Sequence, residues 1–186
     1  MLRHLPNLVT LLRMALVVPL CWLIGDGRYG GALVVAAIAG ASDAVDGFLA
    51  KHFGWQSWLG GVLDPIADKL LLMAAFVWLT LDGSLPAWLT TIVVGRDIVI
   101  VAGALAYHHF VGRFNAAPSR LSKLTTVIQI CCVLAMLVRL AGLVALTDAM
   151  LGVLFGVTAA LTVASGAHYV VVWSRRALRE TVEKRG

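Results

Sequence analysis

Four aspartates stand where the surrounding sequence is least suited to hold a charge. Asp43, Asp46, Asp64 and Asp68 lie near the ends of two long apolar segments, although an ionised carboxylate at the centre of a bilayer costs roughly 2.5–3.5 kcal/mol on insertion scales. Asp43 and Asp46 are three residues apart and Asp64 and Asp68 four apart, so on helices each pair shares one face. Four carboxylates facing one another across a helical hairpin form a hard, oxygen-only, strongly negative pocket. Such a donor set suits one or two divalent cations, Mg²⁺ or Mn²⁺. Two ions held about 4 Å apart clamp a pyrophosphate, neutralise a leaving phosphate and orient an attacking oxygen, the logic of in-line displacement.

A second polar group interrupts a later apolar run. Arg96-Asp97 is a neighbouring charge pair within a span, which makes it a functional candidate by default. Beyond it a basic stretch carries Arg113, Arg120 and Lys123, with Ser119 and Ser122 among them. These residues could bind an anionic headgroup phosphate, or be held at the interface by anionic lipids. His52, His108, His109 and His168 have no spacing that demands a metal. Cys21, Cys131 and Cys132 lie in apolar runs and read as buried, inert thiols.

The elements that must carry these groups are membrane helices. Hydrophobic residues make up 60% of the 186, charged residues 13%, and mean hydropathy is +0.90, against about 25% charged in an ordinary soluble domain. The expected architecture is all-α, an integral membrane protein of six transmembrane helices over about residues 7–24, 31–50, 61–81, 86–110, 124–145 and 151–173. Each run is near the length of roughly 20 residues that a crossing helix needs. The first run is not read as a cleaved signal, because Arg13 interrupts it and Gly25-Asp26-Gly27-Arg28 follows. Asp64-Pro65 is either an N-cap followed by Pro at the first helical position or a Pro inside a helix begun near Ser57. A single membrane domain over residues 1–186 is expected, without internal repeat or low-complexity segment.

Lys and Arg set the orientation. Arg3, Arg13, Lys51, Arg113, Arg120, Lys123, Arg175, Arg176, Arg179, Lys184 and Arg185 fall on one side of the six spans, whereas the other loops carry Asp26 with Arg28, Asp82, and Arg139 with Asp148. Both termini are expected in the cytoplasm, and both aspartate pairs at the cytoplasmic ends of spans two and three.

The pattern Asp43-x-x-Asp46-Gly47-x-x-Ala50-Lys51, then Gly60-x-x-x-Asp64-x-x-x-Asp68, resembles the signature of the CDP-alcohol phosphatidyltransferases. Lys51 departs from it, since the family usually has Arg there, and the planar fork of a bidentate phosphate contact is lost. The resemblance implies CDP-diacylglycerol as donor, CMP as leaving product, Asp43, Asp46, Asp64 and Asp68 as ligands of two Mg²⁺ or Mn²⁺ ions, and Asp68 as general base. It also implies donor contacts from Lys51, Gly47 and Gly60; helix packing through small residues is the alternative for the two glycines, with the donor role favoured for Gly47 beside Asp46.

Pro6-Asn7-x-x-Thr10-x-x-Arg13 resembles the opening of the phosphatidylglycerophosphate and cardiolipin synthases within this family. Asn7, Thr10 and Arg13 drift slowly around a helix and could share a donor cavity; the alternative for Arg13 is snorkelling to headgroups. Gly95-Arg96-Asp97 with Pro118-Ser119-Arg120-Leu121-Ser122-Lys123 is more similar to cardiolipin synthases of the CDP-alcohol type. This implies phosphatidylglycerol as acceptor, contacted by Arg96, Asp97, Arg120, Ser122 and Lys123, with glycerol 3-phosphate as the alternative.

Membrane lipids and a homodimeric partner are expected, nucleic acid is not, and the resemblance points to a bacterial inner membrane. Two readings of other classes remain at this level. One is a divalent-cation transporter; against it, the carboxylates cluster at one face and no repeat is visible. The other is an inactive lipid-binding protein, weakened by the presence of all four aspartates.

Overall fold

The computed structural model describes the backbone of residues 5–53, 58–110 and 119–183, and the side chains of 11–42, 69–103 and 119–172. Six helices follow in order: α1 (Leu5–Gly25), α2 (Tyr29–Phe53), α3 (Trp58–Leu81), α4 (Ala87–Phe110), α5 (Arg120–Leu140) and α6 (Asp148–Glu183). Among the described residues these helices lie where six apolar runs were expected; several boundaries move, three of them for reasons visible in the sequence.

Helix α3 begins at Trp58 and runs through Asp64-Pro65 without interruption, which selects the second of the two readings of that Pro. Helix α5 begins at Arg120 rather than near 124. Ser119 caps it: its hydroxyl accepts from the Ser122 N–H at 3.1 Å, and its carbonyl accepts from the Lys123 N–H at 3.1 Å. Arg120, Ser122 and Lys123, expected in a loop, therefore belong to the first helical turn. Helix α6 does not stop near Trp173 but continues to Glu183, because the charged tail contains Ala, Leu, Arg and Glu and no breaker. At 1.5 Å per residue its 36 residues extend about 54 Å, well beyond the roughly 30 Å of a hydrocarbon core.

By packing, the chain divides into two compact units, one of Met1–Pro86 with Val133–Thr147 and one of Ala87–Cys132 with Asp148–Gly186. In the first, α1 packs against both α2 and α3. Leu20, Leu23 and Ile24 of α1, Ala32 and Ala39 of α2, and Phe76 and Leu79 of α3 are buried there. The turn after α1 is a Schellman motif, with the Arg28 N–H on the Leu23 carbonyl at 2.8 Å and Gly27 at φ 69°. The turn after α3 repeats it at Gly83, φ 79°, with the Ser84 N–H on the Leu79 carbonyl at 2.9 Å. Tyr29 Oη joins the two turns by donating to Asp82 Oδ2 at 2.8 Å, and Ser84 Oγ donates to the same oxygen.

In the second unit α4 packs against α6, and the first half of α5 is tied to α6 by hydrogen bonds. Thr125 Oγ1 donates to the Leu161 carbonyl at 3.2 Å, Gln129 Nε2 donates to Thr162 Oγ1 at 3.1 Å, and the Ser119 N–H donates to Tyr169 Oη at 3.3 Å.

Alongside the buried apolar side chains, a set of polar and charged groups is buried while large apolar ones face outward. Arg13, Arg96, Asp97, Thr125, Gln129, Thr158, Thr162 and Ser165 are buried, while Leu12, Val18, Leu81, Val153 and Val163 are more than half exposed. Buried, hydrogen-bonded polar groups with large apolar side chains turned outward suit a hydrocarbon surrounding. Two helical stretches, Arg120–Leu140 and Asp148–Val172, are long and apolar enough to cross a membrane by length and composition among the described residues. No disulfide links the described cysteines. Cys132 is buried as expected, whereas Cys131 is exposed, because neighbours on a helix point about 100° apart and only one can enter the seam with α6.

Candidate functional site

Uninterrupted helices are the backbone requirement for paired carboxylates to act together, and both candidate helices meet it. Asp43 and Asp46 lie one turn apart within α2, and Asp64 and Asp68 one turn apart within α3. The candidate set is four carboxylates with no nitrogen or sulfur among them, the donor chemistry that hard divalent cations favour. The side chains of Asp43, Asp46, Gly47, Lys51, Gly60, Asp64 and Asp68, and those of Asn7 and Thr10, lie outside the described residues.

Arg13 is described, and it resolves an alternative left open by the sequence. A snorkelling arginine keeps its head exposed; Arg13 is 2% exposed, on the helix that packs against α2 and α3. Its charge is thus kept within the unit that carries the aspartates.

In the second unit the structure assembles part of the expected acceptor group. Arg96 Nη1 donates to Asp97 Oδ1 at 2.6 Å, and Nη2 donates to Ser122 Oγ and Ser165 Oγ, each at 2.7 Å. One guanidinium thereby joins α4, α5 and α6. The Arg96 and Asp97 side chains are 4% and 6% exposed, so the pair is desolvated and the bonds are charge-assisted. Arg96 Nε is buried and has no hydrogen-bond partner among the described residues. Arg120 and Lys123 remain exposed on the first turn of α5, where the helix N-terminus adds a partial positive charge. Ser122 and Arg96 are brought into contact; among the described residues no hydrogen bond joins the Arg120 or Lys123 side chain to either.

Sequence reasoning missed Ser165. Its signal was present: Thr158, Thr162 and Ser165 recur at i, i+4 and i+7 in an apolar span, a polar stripe on one helical face. All three are fully buried. Gly166, beside Ser165, places its backbone against the Arg96 stem, where an added Cβ would lie 3.4 Å from Arg96 Cγ.

With this geometry in hand, comparison with known proteins is decisive at the level of family. Residues 3–172 match the CDP-alcohol phosphatidyltransferase family. The chain belongs to this family. CDP-alcohol phosphatidyltransferases are membrane proteins and generally depend on divalent metal. Among similar proteins, a cardiolipin synthase (CMP-forming) of Streptomyces coelicolor is 37% identical over 114 residues, covering 57% of this chain and 53% of that protein. A probable phosphatidylglycerophosphate synthase of Mycobacterium tuberculosis is 33% identical over 184 residues, covering 95% of this chain and 83% of that protein. The chloroplastic CDP-diacylglycerol–glycerol-3-phosphate 3-phosphatidyltransferase 1 of rice is 33% identical over 183 residues, covering 89% and 56%. The chain spans about half, or less, of the length of the cardiolipin synthases it matches, including those of rat and human at 37%.

Proposed function

We propose that this chain is a metal-dependent phosphatidyltransferase of phospholipid synthesis, which moves the phosphatidyl group of CDP-diacylglycerol to the hydroxyl of an anionic, glycerol-containing acceptor and releases CMP. The observation that carries this reading is the pair of aspartate pairs, each one turn apart on an unbroken helix, within the residues that match the family. Asp43, Asp46, Asp64 and Asp68 would hold two Mg²⁺ or Mn²⁺ ions. When bound, such ions neutralise charge on the pyrophosphate and on the departing CMP.

The chain's own residues supply the rest. The acceptor oxygen forms a bond to the phosphatidyl phosphorus as the pyrophosphate P–O bond to CMP breaks. The hydroxyl proton passes to a carboxylate oxygen of Asp68. A carboxylate fully engaged by a cation is a poor base, because the cation favours its ionised form, so a base role for Asp68 would require loose or absent metal contact in the reactive state. Asn7, Thr10, Arg13, Gly47, Lys51 and Gly60 bind the donor. Arg96, Asp97, Ser122, Arg120 and Lys123 bind the acceptor, with Arg96, Ser122, Arg120 and Lys123 at its phosphate and Asp97 balancing the Arg96 charge; the partnerless Arg96 Nε–H supports this, since a buried donor left unsatisfied costs about 1–3 kcal/mol.

Phosphatidylglycerol is the acceptor that the Arg96-Asp97 pair favours. Glycerol 3-phosphate is the second reading, supported by the 95% coverage of this chain in the comparison with the mycobacterial protein named as a probable phosphatidylglycerophosphate synthase. The domain over 1–186 spans a bacterial inner membrane six times, with both termini and the aspartates at the cytoplasmic side, and pairs as a homodimer. Supplying both acceptors side by side with CDP-diacylglycerol and identifying the lipid product by mass spectrometry decides between them. Cardiolipin is the expected product, phosphatidylglycerophosphate replaces the first reading by the second, and no phosphatidyl product with either acceptor defeats both.

A further inference from the structure

We infer that Ser165 on α6 is a positioning residue that holds the Arg96 guanidinium in the orientation an anionic acceptor requires. The inference rests on the reading of Arg96 as an acceptor contact and extends it to a helix which that reading does not use. A guanidinium has five N–H donors in a fixed planar fork. Three are engaged, one with Asp97 and two with the hydroxyls of Ser122 and Ser165.

Asp97 is the next residue on the same helix, so its bond fixes the charge balance but leaves the fork free to swing about the α4 axis. Ser122 and Ser165 reach Nη2 from α5 and α6, at 2.7 Å each. Two acceptors on one nitrogen define the plane of the fork, and that plane sets the direction of the partnerless Nε–H. Removing Ser165 leaves a single acceptor on Nη2 and takes away the tie that holds the fork to α6.

The flanking sequence is consistent with a built support. Gly166 lets the Arg96 stem lie against the α6 backbone, since an added Cβ would fall 3.4 Å from Cγ and 3.9 Å from Cβ of Arg96. One turn earlier Thr162 takes the Gln129 amide, and one turn later Tyr169 takes the Ser119 N–H. Ser165 therefore sits in a face of α6 that is bonded to α5 above and below, so its hydroxyl is carried on a fixed frame.

The test is steady-state CMP release by the purified full chain in detergent–lipid micelles with Mg²⁺, titrating CDP-diacylglycerol and each of the two acceptors separately, for wild type, Arg96→Lys, Ser165→Ala and Gly166→Val. Ser165→Ala is expected to raise the acceptor KM about ten- to a hundredfold, the worth of one hydrogen bond to a charged group, with the donor KM within twofold. Gly166→Val, which keeps the serine but crowds the Arg96 stem, should raise the acceptor KM in the same direction, and provides the answer if Ser165→Ala does not fold. If Arg96→Lys raises the acceptor KM while Ser165→Ala and Gly166→Val leave it unchanged, positioning by α6 is overturned and the Arg96 reading stands. A fall in melting temperature with both KM values moving together also overturns it, as a merely structural role. If Arg96→Lys leaves the acceptor KM unchanged for both acceptors, the acceptor reading itself fails and the inference with it.

Discussion

Asp97 offers a perturbation whose size follows from burial. Its carboxylate lies 2.6 Å from Arg96 Nη1, with the two side chains 6% and 4% exposed. Replacing it by Ala leaves a guanidinium buried beside two neutral hydroxyls. Removing one partner of a buried ion pair costs about 3–5 kcal/mol, whereas a solvent-exposed pair contributes roughly 0–1. Asp97→Asn keeps an oxygen acceptor but loses the charge, and the difference between charged and neutral hydrogen bonds places its cost at about 1–2 kcal/mol. Replacing both partners, Arg96→Met with Asp97→Leu, removes the uncompensated charge and should recover most of the loss in stability, although not acceptor binding. Thermal unfolding in a fixed detergent, with equilibrium unfolding of the same samples, reads all three. The expected order is Asp97→Ala well below Asp97→Asn, with the double variant near wild type. An Asp97→Ala cost under 1 kcal/mol, or a double variant as unstable as the single, would refute the argument that burial makes this pair interdependent.

Other consequences are separate from that site. Gly83→Ala, at φ 79°, should destabilise by about 1–2 kcal/mol because a Cβ is disfavoured in the left-handed region; Gly30→Ala, helical with open space at its Cβ, should be neutral or slightly stabilising, and equal effects in a thermal scan would contradict the turn geometry. The hydrogen bond to Asp82 holds the Tyr29 hydroxyl above its ordinary pKa, with partial burial and the Asp82 charge acting in the same direction. The folded state thus binds that proton more tightly, so the latch's contribution is complete below about pH 10 and is lost as pH rises through the folded value; an ultraviolet titration should show the Tyr29 midpoint fall in Asp82→Asn, and an unchanged midpoint would count against the latch. Gln129→Leu removes one interhelical bond to Thr162 and should cost roughly 0.6–1.7 kcal/mol, the range for such bonds in membrane helices. Lys51→Arg restores the forked donor of the family pattern and should lower the donor KM; no change would mean that a point charge suffices there.

Much of this was legible in the sequence because spacing and helix geometry are the same information. Asp43, Asp46, Asp64 and Asp68 could be assigned to shared faces before any coordinates, since three- and four-residue intervals have one meaning on a helix. The six apolar runs were equally plain. The start of α5 was not, because Ser119 sits among basic residues that suit a headgroup contact as well as an N-cap, although Ser ahead of a helical run is a standard start signal. The end of α6 was misplaced because hydropathy marks where a helix leaves lipid, not where it ends. Ser165 was overlooked for a different reason. A hydroxyl in an apolar span satisfies itself on the preceding turn in most cases, as Thr158 and Thr162 do on the Leu154 and Thr158 carbonyls at 2.7 Å, and only the fold reveals that Ser165 faces a guanidinium 69 positions away.

The central claim is that the aspartates of α2 and α3 support transfer of a phosphatidyl group with the help of divalent cations. The most direct measurement is CMP released by the purified full chain from CDP-diacylglycerol, with and without acceptor, in EDTA and after restoring Mg²⁺ or Mn²⁺, for wild type and Asp64→Asn. The account predicts release that requires both acceptor and metal, and a loss of at least about a hundredfold in Asp64→Asn, since removing one stabiliser of developing charge typically costs that much or more. Release that persists in EDTA, or a fully active Asp64→Asn, would contradict it.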